Sequence, residues 1–226
     1  MIREERETPF GWLVVASLQG EVDLGLLSPA ERELTLPMGP RRIASFVGGR
    51  VALRRALDRV GAPATPLLAT GRGGPTLPDG VTGSISHKDD VAVAVAARSV
   101  EGEHVGVDLE TDAPLRVDIG RRVLREEEQA RLAGLEPVAR DRLVRETFAV
   151  KEAIYKAIDP VMKRYVAFQE VALELDGKGG ALAILHLNEP APAFSLEVAI
   201  ESMRGPHGER MLLAFARARV TDRRRP

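Results

Sequence analysis

An Asp-x-Glu pair inside a short aliphatic strand constrains this chain of 226 residues more than any other feature of its sequence. The segment comprises residues 106–110 and reads GVDLE. Side chains two positions apart on a β-strand share one face. Val107 and Leu109 are therefore expected to enter a core, while Asp108 and Glu110 point together to the opposite side. Two carboxylates on one face of a strand are either a solvated surface or part of a charged site.

A helix with lysines and a glutamate supplies a possible partner for these acids. Residues 148–157 read FAVKEAIYKA, and Glu152 and Lys156 lie one helical turn apart on the same face. By itself such a pair is an exposed ion pair worth about 0.3–0.5 kcal/mol. If this face meets the acids of the strand, three carboxylates and a lysine converge. Those groups bind a hard divalent cation and a phosphate ester, so the segments together favour phosphoryl-group chemistry.

Composition excludes several classes of function. The sequence contains no cysteine, which rules out disulfides, thiolate catalysis and cysteine-based metal sites. A net charge of −1 gives no electrostatic basis for binding nucleic acid or an anionic membrane. Residues 1–8 lack the apolar core of a signal peptide, and no apolar run approaches the ~20 residues of a membrane helix. We therefore expect a soluble, cytoplasmic protein.

Hydrophobic periodicity predicts an α+β chain built from two similar halves. Strands are predicted at residues 12–18, 82–86, 91–97, 105–110, 170–175, 181–187, 194–200 and 210–217. Helices are predicted at residues 41–60, 121–135 and 140–158, and residues 63–79 are predicted to form a loop. We expect an N-terminal half over residues 1–102, a C-terminal half over residues 103–220 and a basic tail over residues 221–226. A site at the interface of the halves would occupy a usual place for a ligand cleft.

The first predicted helix has an unusual centre. Gly48 and Gly49 lie in its middle, and Arg50 interrupts the apolar stripe between Phe46 and Leu53. One interpretation is an arginine that extends along the stripe and keeps its head in water. The other is a buried guanidinium that meets an anion, with the glycines allowing a close approach of the backbone.

A serine and a histidine occupy the end of the strand that precedes the acids. Residues 83–88 read GSISHK and lead into a predicted hairpin turn. A single histidine at a strand end is more often structural than catalytic. Here a hydroxyl, an imidazole and turn amides come together, and those groups donate to phosphate.

Taken in order, these segments resemble the 4′-phosphopantetheinyl transferases, in particular the monomeric Sfp/EntD-type class. The matching segments are residues 46–54, 72–78, 84–87, 106–110 and 148–157. The resemblance implies an α+β fold of two halves related by a pseudo-twofold, with the active site at their interface. It also implies Mg²⁺-dependent transfer of 4′-phosphopantetheine from coenzyme A to a serine of an apo acyl or peptidyl carrier protein. Adenosine 3′,5′-bisphosphate would be released.

The resemblance further implies a role for individual residues. Asp108, Glu110 and Glu152 would bind Mg²⁺, with Mn²⁺ as an open alternative, and Glu152 is also the candidate general base. Lys151 and Lys156 would hold phosphate groups of coenzyme A, and Asp108, Glu152 and Lys156 form the expected catalytic set. The remaining expected ligands of coenzyme A are Arg42, Arg50, Gly74, Pro75, Ser86 and His87.

Two other functions use the same residues. A metal-dependent phosphohydrolase would need the same acids and lysines, with water as the nucleophile. A non-catalytic binder of coenzyme A would keep the fold, although it has no need of three clustered carboxylates, which repel one another. A carrier protein could dock on residues 121–125, which could equally be a solvated charged helix. The pathway that the carrier serves stays open.

Overall fold

The computed structural model describes residues 1–63, 65–115, 117–188 and 191–221, and it has the predicted α+β composition. Most of the predicted basic tail lies outside these described residues. The strands are β1 (Ile2–Thr8), β2 (Gly11–Ser17), β3 (Val81–Lys88), β4 (Val91–Arg98), β5 (Glu103–Thr111), β6 (Val171–Leu175), β7 (Ala181–Leu185), β8 (Phe194–Arg204) and β9 (Arg210–Val220). The helices are α1 (Pro29–Glu33), α2 (Pro40–Arg59), α3 (Gly120–Val123), α4 (Glu126–Ala130) and α5 (Pro137–Met162).

The two halves repeat one topology. In the first half the sheet order is β1-β2-β4-β3, and α2 connects β2 to the hairpin of β3 and β4. In the second half the order is β5-β9-β8, and α5 precedes the hairpin of β8 and β9. Strand, long helix and hairpin therefore recur, and the last strand of each hairpin pairs with the strand that precedes the helix, β4 with β2 and β9 with β5. The separate pair of β6 and β7 is an insertion in the second unit. This repetition agrees with the expected relation between the halves.

Alternation along the strands builds a four-layer structure. One face of β2 and β4 carries Val14 and Ala94, which pack against α2. The opposite face of these strands packs on the sheet of the second half, as in the buried contact of Phe10 with Phe215, whose ring centroids are 5.3 Å apart. The outer face of that second sheet packs against α5. The central strands are consequently buried on both faces, and β4 reads as an uninterrupted apolar run.

Side-chain hydroxyls join the two sheets at β3 and β5. Hydroxyl oxygens on alternate residues of β3 accept hydrogen bonds from backbone amides of alternate residues of β5. The pairs are Thr82 with Val105 at 3.0 Å, Ser84 with Val107 at 3.1 Å and Ser86 with Leu109 at 3.2 Å. These buried amides face away from β9 and would otherwise lack acceptors, so the hydroxyls satisfy them. These three hydrogen bonds fix the register of β5 relative to β3.

The structure differs from the predicted elements at several positions, and helix α1 was not predicted at all. Strand β1 was not expected because its sequence, IREERET, has no apolar alternation; it is held by pairing with β2 and by Glu5, which pairs with Arg55 and Arg59 of α2. The predicted helix over residues 121–135 is split into α3 and α4 by an extended Leu124. Helix α5 continues past the expected stop at Pro160, which lies in its last turn. In the described part of the chain, no helix is long and apolar enough to cross a membrane.

Candidate active site

A cleft of about 1040 Å³ lies between the two halves. Its walls come from α2, the segment after α2, β3 and the C-terminal part of α5. Seven of the predicted site residues line it, namely Arg42, Arg50, Gly74, Pro75, His87, Glu152 and Lys156. The cleft therefore brings together residues that are more than 100 positions apart in the sequence.

The basic end of the cleft is formed by Arg42 and His87. Nη1 of Arg42 lies 3.1 Å from Nε2 of His87. Burial lowers the pKa of His87, and the positive charges of Arg42 and Lys156 lower it further. The imidazole is therefore held neutral near neutral pH and is available as a hydrogen-bond partner beside two cations.

Arg50 is a buried cation at the wall of the cleft. It is 6% exposed, its guanidinium carbon lies 4.4 Å from the centroid of the Phe46 ring, and Nε donates to the carbonyl of Leu67 at 2.6 Å. Within the described residues it has no carboxylate partner. Burial lowers its pKa to about 10, so it stays charged at neutral pH. The alternative of an arginine head in bulk water is wrong, and an unpaired buried cation facing a cleft suits an anionic ligand.

The glycines before Arg50 serve packing as well as the cleft. A Cβ atom on Gly49 would lie 2.8 Å from Cγ2 of Ile85, and a Cβ on Gly48 would collide with the side chain of Leu18. Their lack of side chains lets α2 lie close to the sheet. Only Gly49 of the two lines the cleft.

Asp108 connects the two halves beside Lys156; neither Asp108 nor Glu110 is part of the lining of the cleft. Its Oδ1 accepts from Lys156 Nζ at 2.7 Å and from Ser86 Oγ at 2.9 Å. Lys156 also donates to the carbonyl of Val107 at 3.0 Å. The second oxygen, Oδ2, is buried and has no hydrogen-bond partner among the described residues. An unsatisfied carboxylate oxygen is costly to bury, so this atom marks a place for an additional ligand.

Glu110 and Glu152 complete the predicted acid trio. Burial raises the pKa of Glu110, and the hydrogen bond from Lys88, whose Nζ lies 2.6 Å away, opposes that shift. Burial also raises the pKa of Glu152; the Lys156 ammonium opposes that shift, and the charges of Asp108 and Glu110 add to it. Asp108 and Glu110 are therefore close enough to Glu152 to affect its pKa.

The donor chemistry of the trio fits a hard cation. Carboxylate oxygens are the ligands that Mg²⁺ prefers in proteins, and Asp108 Oδ2 is one such oxygen without a protein partner. Across the described residues, no three acidic, histidine or cysteine side chains already stand close enough together to hold a metal ion. Lys156 and Lys88 each contact one of the acids instead. The metal-ligand assignment stays a prediction.

Lys151 does not reach the cleft, and its predicted role as a phosphate ligand is contradicted by its position. Its side chain is fully buried, and Nζ donates to Glu128 Oε2 at 2.7 Å and to the carbonyls of Val123 and Phe168 at 2.9 and 3.1 Å. Helical geometry explains the difference, because position 151 lies about 140° around the axis from position 156. Lys151 thus ties α5 to α4 and the segment before it.

Ser86 is also placed differently from the expectation. Its hydroxyl accepts from the amide of Leu109 and donates to Asp108 Oδ1, and the residue is buried outside the lining of the cleft. A hydroxyl with both roles filled by protein is not a free donor for phosphate. The structure therefore contradicts the predicted contact and assigns Ser86 to orienting Asp108.

Sequence reasoning missed the group that closes the cleft beside α5. Arg72 donates from Nε to Asp159 at 2.6 Å and from Nη2 to the hydroxyl of Tyr155 at 2.7 Å. All three residues line the cleft. Arg72 and Tyr155 lie in segments that carry the family resemblance, but no site role was predicted for them or for Asp159, because only the folded structure shows that the three meet.

The suggested docking segment is partly core. Val123 and Leu124 are each 1% exposed and pack with Val144, whereas Arg121 and Arg122 are exposed. The segment therefore offers two surface arginines and no apolar patch of its own. Docking of a carrier there stays a prediction.

Comparison with known proteins assigns the chain to a family. A family model described as the 4′-phosphopantetheinyl transferase N-terminal domain matches residues 30–97, and one described as the 4′-phosphopantetheinyl transferase superfamily matches residues 104–215. The 4′-phosphopantetheinyl transferase Npt of Nocardia iowensis is 31% identical over 154 residues, which cover 68% of each chain. The chain belongs to the 4′-phosphopantetheinyl transferase family. The predicted family is thereby confirmed.

Two further matches describe the extent of the similarity. The 4′-phosphopantetheinyl transferase Svp of Streptomyces mobaraensis is 35% identical over 161 residues, covering 70% of this chain and 64% of Svp. A crystal structure of a holo-(acyl-carrier-protein) synthase from Bacillus anthracis in complex with CoA (3′,5′-ADP) matches with a TM-score of 0.40 at 20% identity. That match covers 52% of this chain and 96% of the synthase.

Proposed function

We propose that this chain transfers 4′-phosphopantetheine from coenzyme A to a serine of an apo acyl or peptidyl carrier protein and releases adenosine 3′,5′-bisphosphate. One observation carries the proposal: a single cleft is lined both by Arg50, a buried arginine without a carboxylate partner among the described residues, and by Glu152 and Lys156. Coenzyme A has an isolated 3′-phosphate and, beyond the ribose, a diphosphate whose distal phosphorus is the one transferred. A cleft with positively charged groups on both α2 and α5 suits a ligand with two phosphate groups.

The basic end binds the 3′-phosphate in this proposal. Arg50 supplies a guanidinium that can donate two parallel hydrogen bonds to one phosphate, and Arg42 and His87 lie at the same end. Gly74 and Pro75 line the adenine or ribose side. Contacts that hold the nucleotide also orient the diphosphate, and this positioning supplies part of the rate enhancement.

Lys156 and the acids beside it carry out the transfer. Lys156 places a positive charge where negative charge develops on the diphosphate as the bond to the leaving group breaks. Glu152 accepts the proton of the incoming serine, directly or through a water, and burial suits it to that task by raising its pKa. Ser86 and Lys156 hold Asp108 in place.

Asp108, Glu110 and Glu152 are the residues that would hold Mg²⁺, and Mn²⁺ could replace it. When bound, such an ion polarises the phosphoryl group and neutralises charge on the leaving group. The buried oxygen Oδ2 of Asp108 supports this assignment. The metal-ligand assignment is tested without an activity assay by measuring the binding of Mn²⁺ to the purified protein with calorimetry or paramagnetic resonance.

Mass spectrometry of a carrier protein tests the proposed reaction. The chain is incubated with coenzyme A, Mg²⁺ and an apo carrier domain, and the carrier should gain the mass of one phosphopantetheine group. Breakdown of coenzyme A with an unmodified carrier would instead support a phosphohydrolase, and binding without either reaction would support a non-catalytic protein. Apo carriers of several biosynthetic classes should be screened.

A pair of aspartate variants provides the matched comparison. Asp108→Asn should abolish both transfer and Mn²⁺ binding while the protein stays folded. Asp112→Asn removes a nearby carboxylate whose ion-pair partners are Arg145 and Arg210, and not Lys156 as for Asp108, so it should keep transfer. Full activity of the Asp108 variant would refute its role.

A further inference from the structure

A fully buried carboxylate lies behind the wall of the cleft. Glu31 of α1 is 0% exposed. Its oxygens accept from the amides of Ser28 at 2.7 Å and Leu67 at 2.9 Å, and from Nη2 of Arg54 at 2.8 Å. Burial would raise the pKa of Glu31, but these hydrogen bonds lower it overall, so the group is an anion. A buried anion with all of these partners holds the surrounding backbone in one arrangement.

Leu67 connects this carboxylate to the cleft. Its amide donates to Glu31, and its carbonyl accepts from Nε of Arg50 at 2.6 Å. Leu67 is 1% exposed, so both of its backbone groups depend on these protein partners. Within the described residues Arg50 makes its one hydrogen bond through Nε, which leaves both Nη groups for a ligand. The placement of the guanidinium therefore follows the placement of the Leu67 backbone.

Two neighbouring arginines of α2 differ in whether a carboxylate of the protein neutralises them. Arg50 and Arg54 lie one turn apart on one face of the helix, and Arg42 lies about two turns before Arg50. Glu31 forms an ion pair with Arg54 and thus neutralises one of these positive charges. Arg50 keeps its charge for a ligand, while the negative charge of Glu31 partly offsets the effect of burial on the Arg50 pKa.

We propose that Glu31 is a positioning residue for substrate recognition: it fixes the Leu67 backbone, which fixes the Arg50 guanidinium toward the 3′-phosphate of coenzyme A. The inference rests on the proposed function, since it takes the ligand of Arg50 from it. Its consequence is a specific one. Glu31, which touches no substrate, should control how strongly the protein prefers coenzyme A to 3′-dephospho-coenzyme A.

Calorimetry with both ligands tests this inference on the full chain. Arg50→Ala should remove most of the preference for coenzyme A. Glu31→Gln keeps the size of the side chain but deprives one backbone amide or Arg54 of its acceptor. We expect this variant to lower the preference by about fivefold to tenfold, comparable to the loss of one ordinary hydrogen bond. Affinity for 3′-dephospho-coenzyme A should change less than about twofold, because that ligand lacks the phosphate that Arg50 contacts.

The double variant separates positioning from a general effect. If Glu31 acts through Arg50, then Glu31→Gln should have no further effect on the preference in an Arg50→Ala background, because residues of one network are not additive. A simple loss of fold stability would lower the affinity for both ligands in both backgrounds.

Glu170 provides a matched control. Its carboxylate has the same kinds of partner, namely both guanidinium nitrogens of Arg164 and the amides of Ala167 and Asn188. It does not line the cleft and has no contact with Arg50. Glu170→Gln should lower the melting temperature and leave the preference between the two ligands unchanged.

The outcomes distinguish the inference from the proposed function. If Arg50→Ala keeps the preference, the proposed phosphate contact is wrong and the role of Glu31 falls with it. If Arg50→Ala loses the preference and Glu31→Gln keeps it, only the role of Glu31 is overturned. If the protein binds coenzyme A with the expected pattern but modifies no carrier, the transfer reaction fails and the positioning role stands. Should Glu31→Gln not fold, Arg54→Lys weakens the same anchor and should lower the preference to a smaller extent.

Discussion

Replacement of Gly106 by alanine sets two opposite effects against each other. Gly106 lies in β5, and its backbone is not in the left-handed region, so an alanine could adopt its conformation. By the entropy of the unfolded chain alone, a glycine-to-alanine change would stabilise the protein by about 0.4–1 kcal/mol. The added Cβ, however, would lie 2.9 Å from the backbone nitrogen of Ala157 and 3.0 Å from the carbonyl carbon of Ala153, with the carbonyl oxygen nearer still.

The steric effect should win because the obstacle is helix backbone. Real Cβ atoms essentially never approach other atoms closer than 3.0 Å, so α5 or β5 must move. Overpacking of a core costs about 1–3 kcal/mol, and a backbone obstacle places Gly106→Ala at the upper end of that range. For a chain of this size we expect the melting temperature to fall by roughly 6–12 °C.

We expect the rate of carrier modification to fall by more than the destabilisation alone would cause. The helix that must retreat carries Glu152 and Lys156, and Lys156 is held 2.7 Å from Asp108 on β5. A displacement near 1 Å in such a group can cost about 100-fold in rate, so we expect a loss of that order in carrier modification.

Thermal unfolding and the carrier assay check both expectations. Gly71→Ala is the control, because a Cβ there would meet no atom within 4 Å, and its melting temperature should stay the same or rise slightly. A Gly106→Ala protein as stable and as active as the parent would refute the argument that contact between α5 and β5 sets the geometry of the site.

Three further predictions concern individual side chains. His87→Ala should raise the KM for coenzyme A more than it lowers kcat, because its contact is remote from the reacting phosphorus; an unchanged KM would remove His87 from the ligand site. Lys151→Met should destabilise the protein by about 3–5 kcal/mol by leaving Glu128 buried without its partner, and a raised KM without loss of stability would restore Lys151 as a substrate ligand. Glu170 has its pKa lowered from 4.5 to about 2, mainly by the Arg164 hydrogen bond, so the stability difference between the parent and Glu170→Gln should be full above pH 4.5 and vanish as the pH falls toward 2. Denaturation across that pH range measures it, and a constant difference would contradict the assignment.

Periodicity predicted most of the fold because most elements bury a regular face. Strands β2 to β9 and helices α2 and α5 correspond to the predicted segments. Strand β1 escaped prediction because pairing, rather than burial, holds its charged sequence in place. The continuation of α5 through Pro160 escaped because Met162 packs on the core beyond it, and this contact outweighs the local preference of proline.

The site residues were predicted from spacing within single segments. This reasoning failed for residues whose role depends on a partner in another segment. Lys151 and Lys156 are both lysines of one helix, but Glu128 on α4 determines that the first is structural. Ser86 was assigned to phosphate because the partner of its hydroxyl lies on a different strand. Glu31 gave no signal at all, since an acid in a short polar segment looks like a solvated surface residue until its burial is known.

The hydroxyls on β3 both join the two halves and hold Asp108 in position. The row ends at Ser86, whose single oxygen receives the Leu109 amide and donates its proton to Asp108. An alanine there would deprive both neighbours at once, and a slip of one register would carry the carboxylate away from Lys156. Any change in the packing of the two halves would therefore also move Asp108 relative to Lys156.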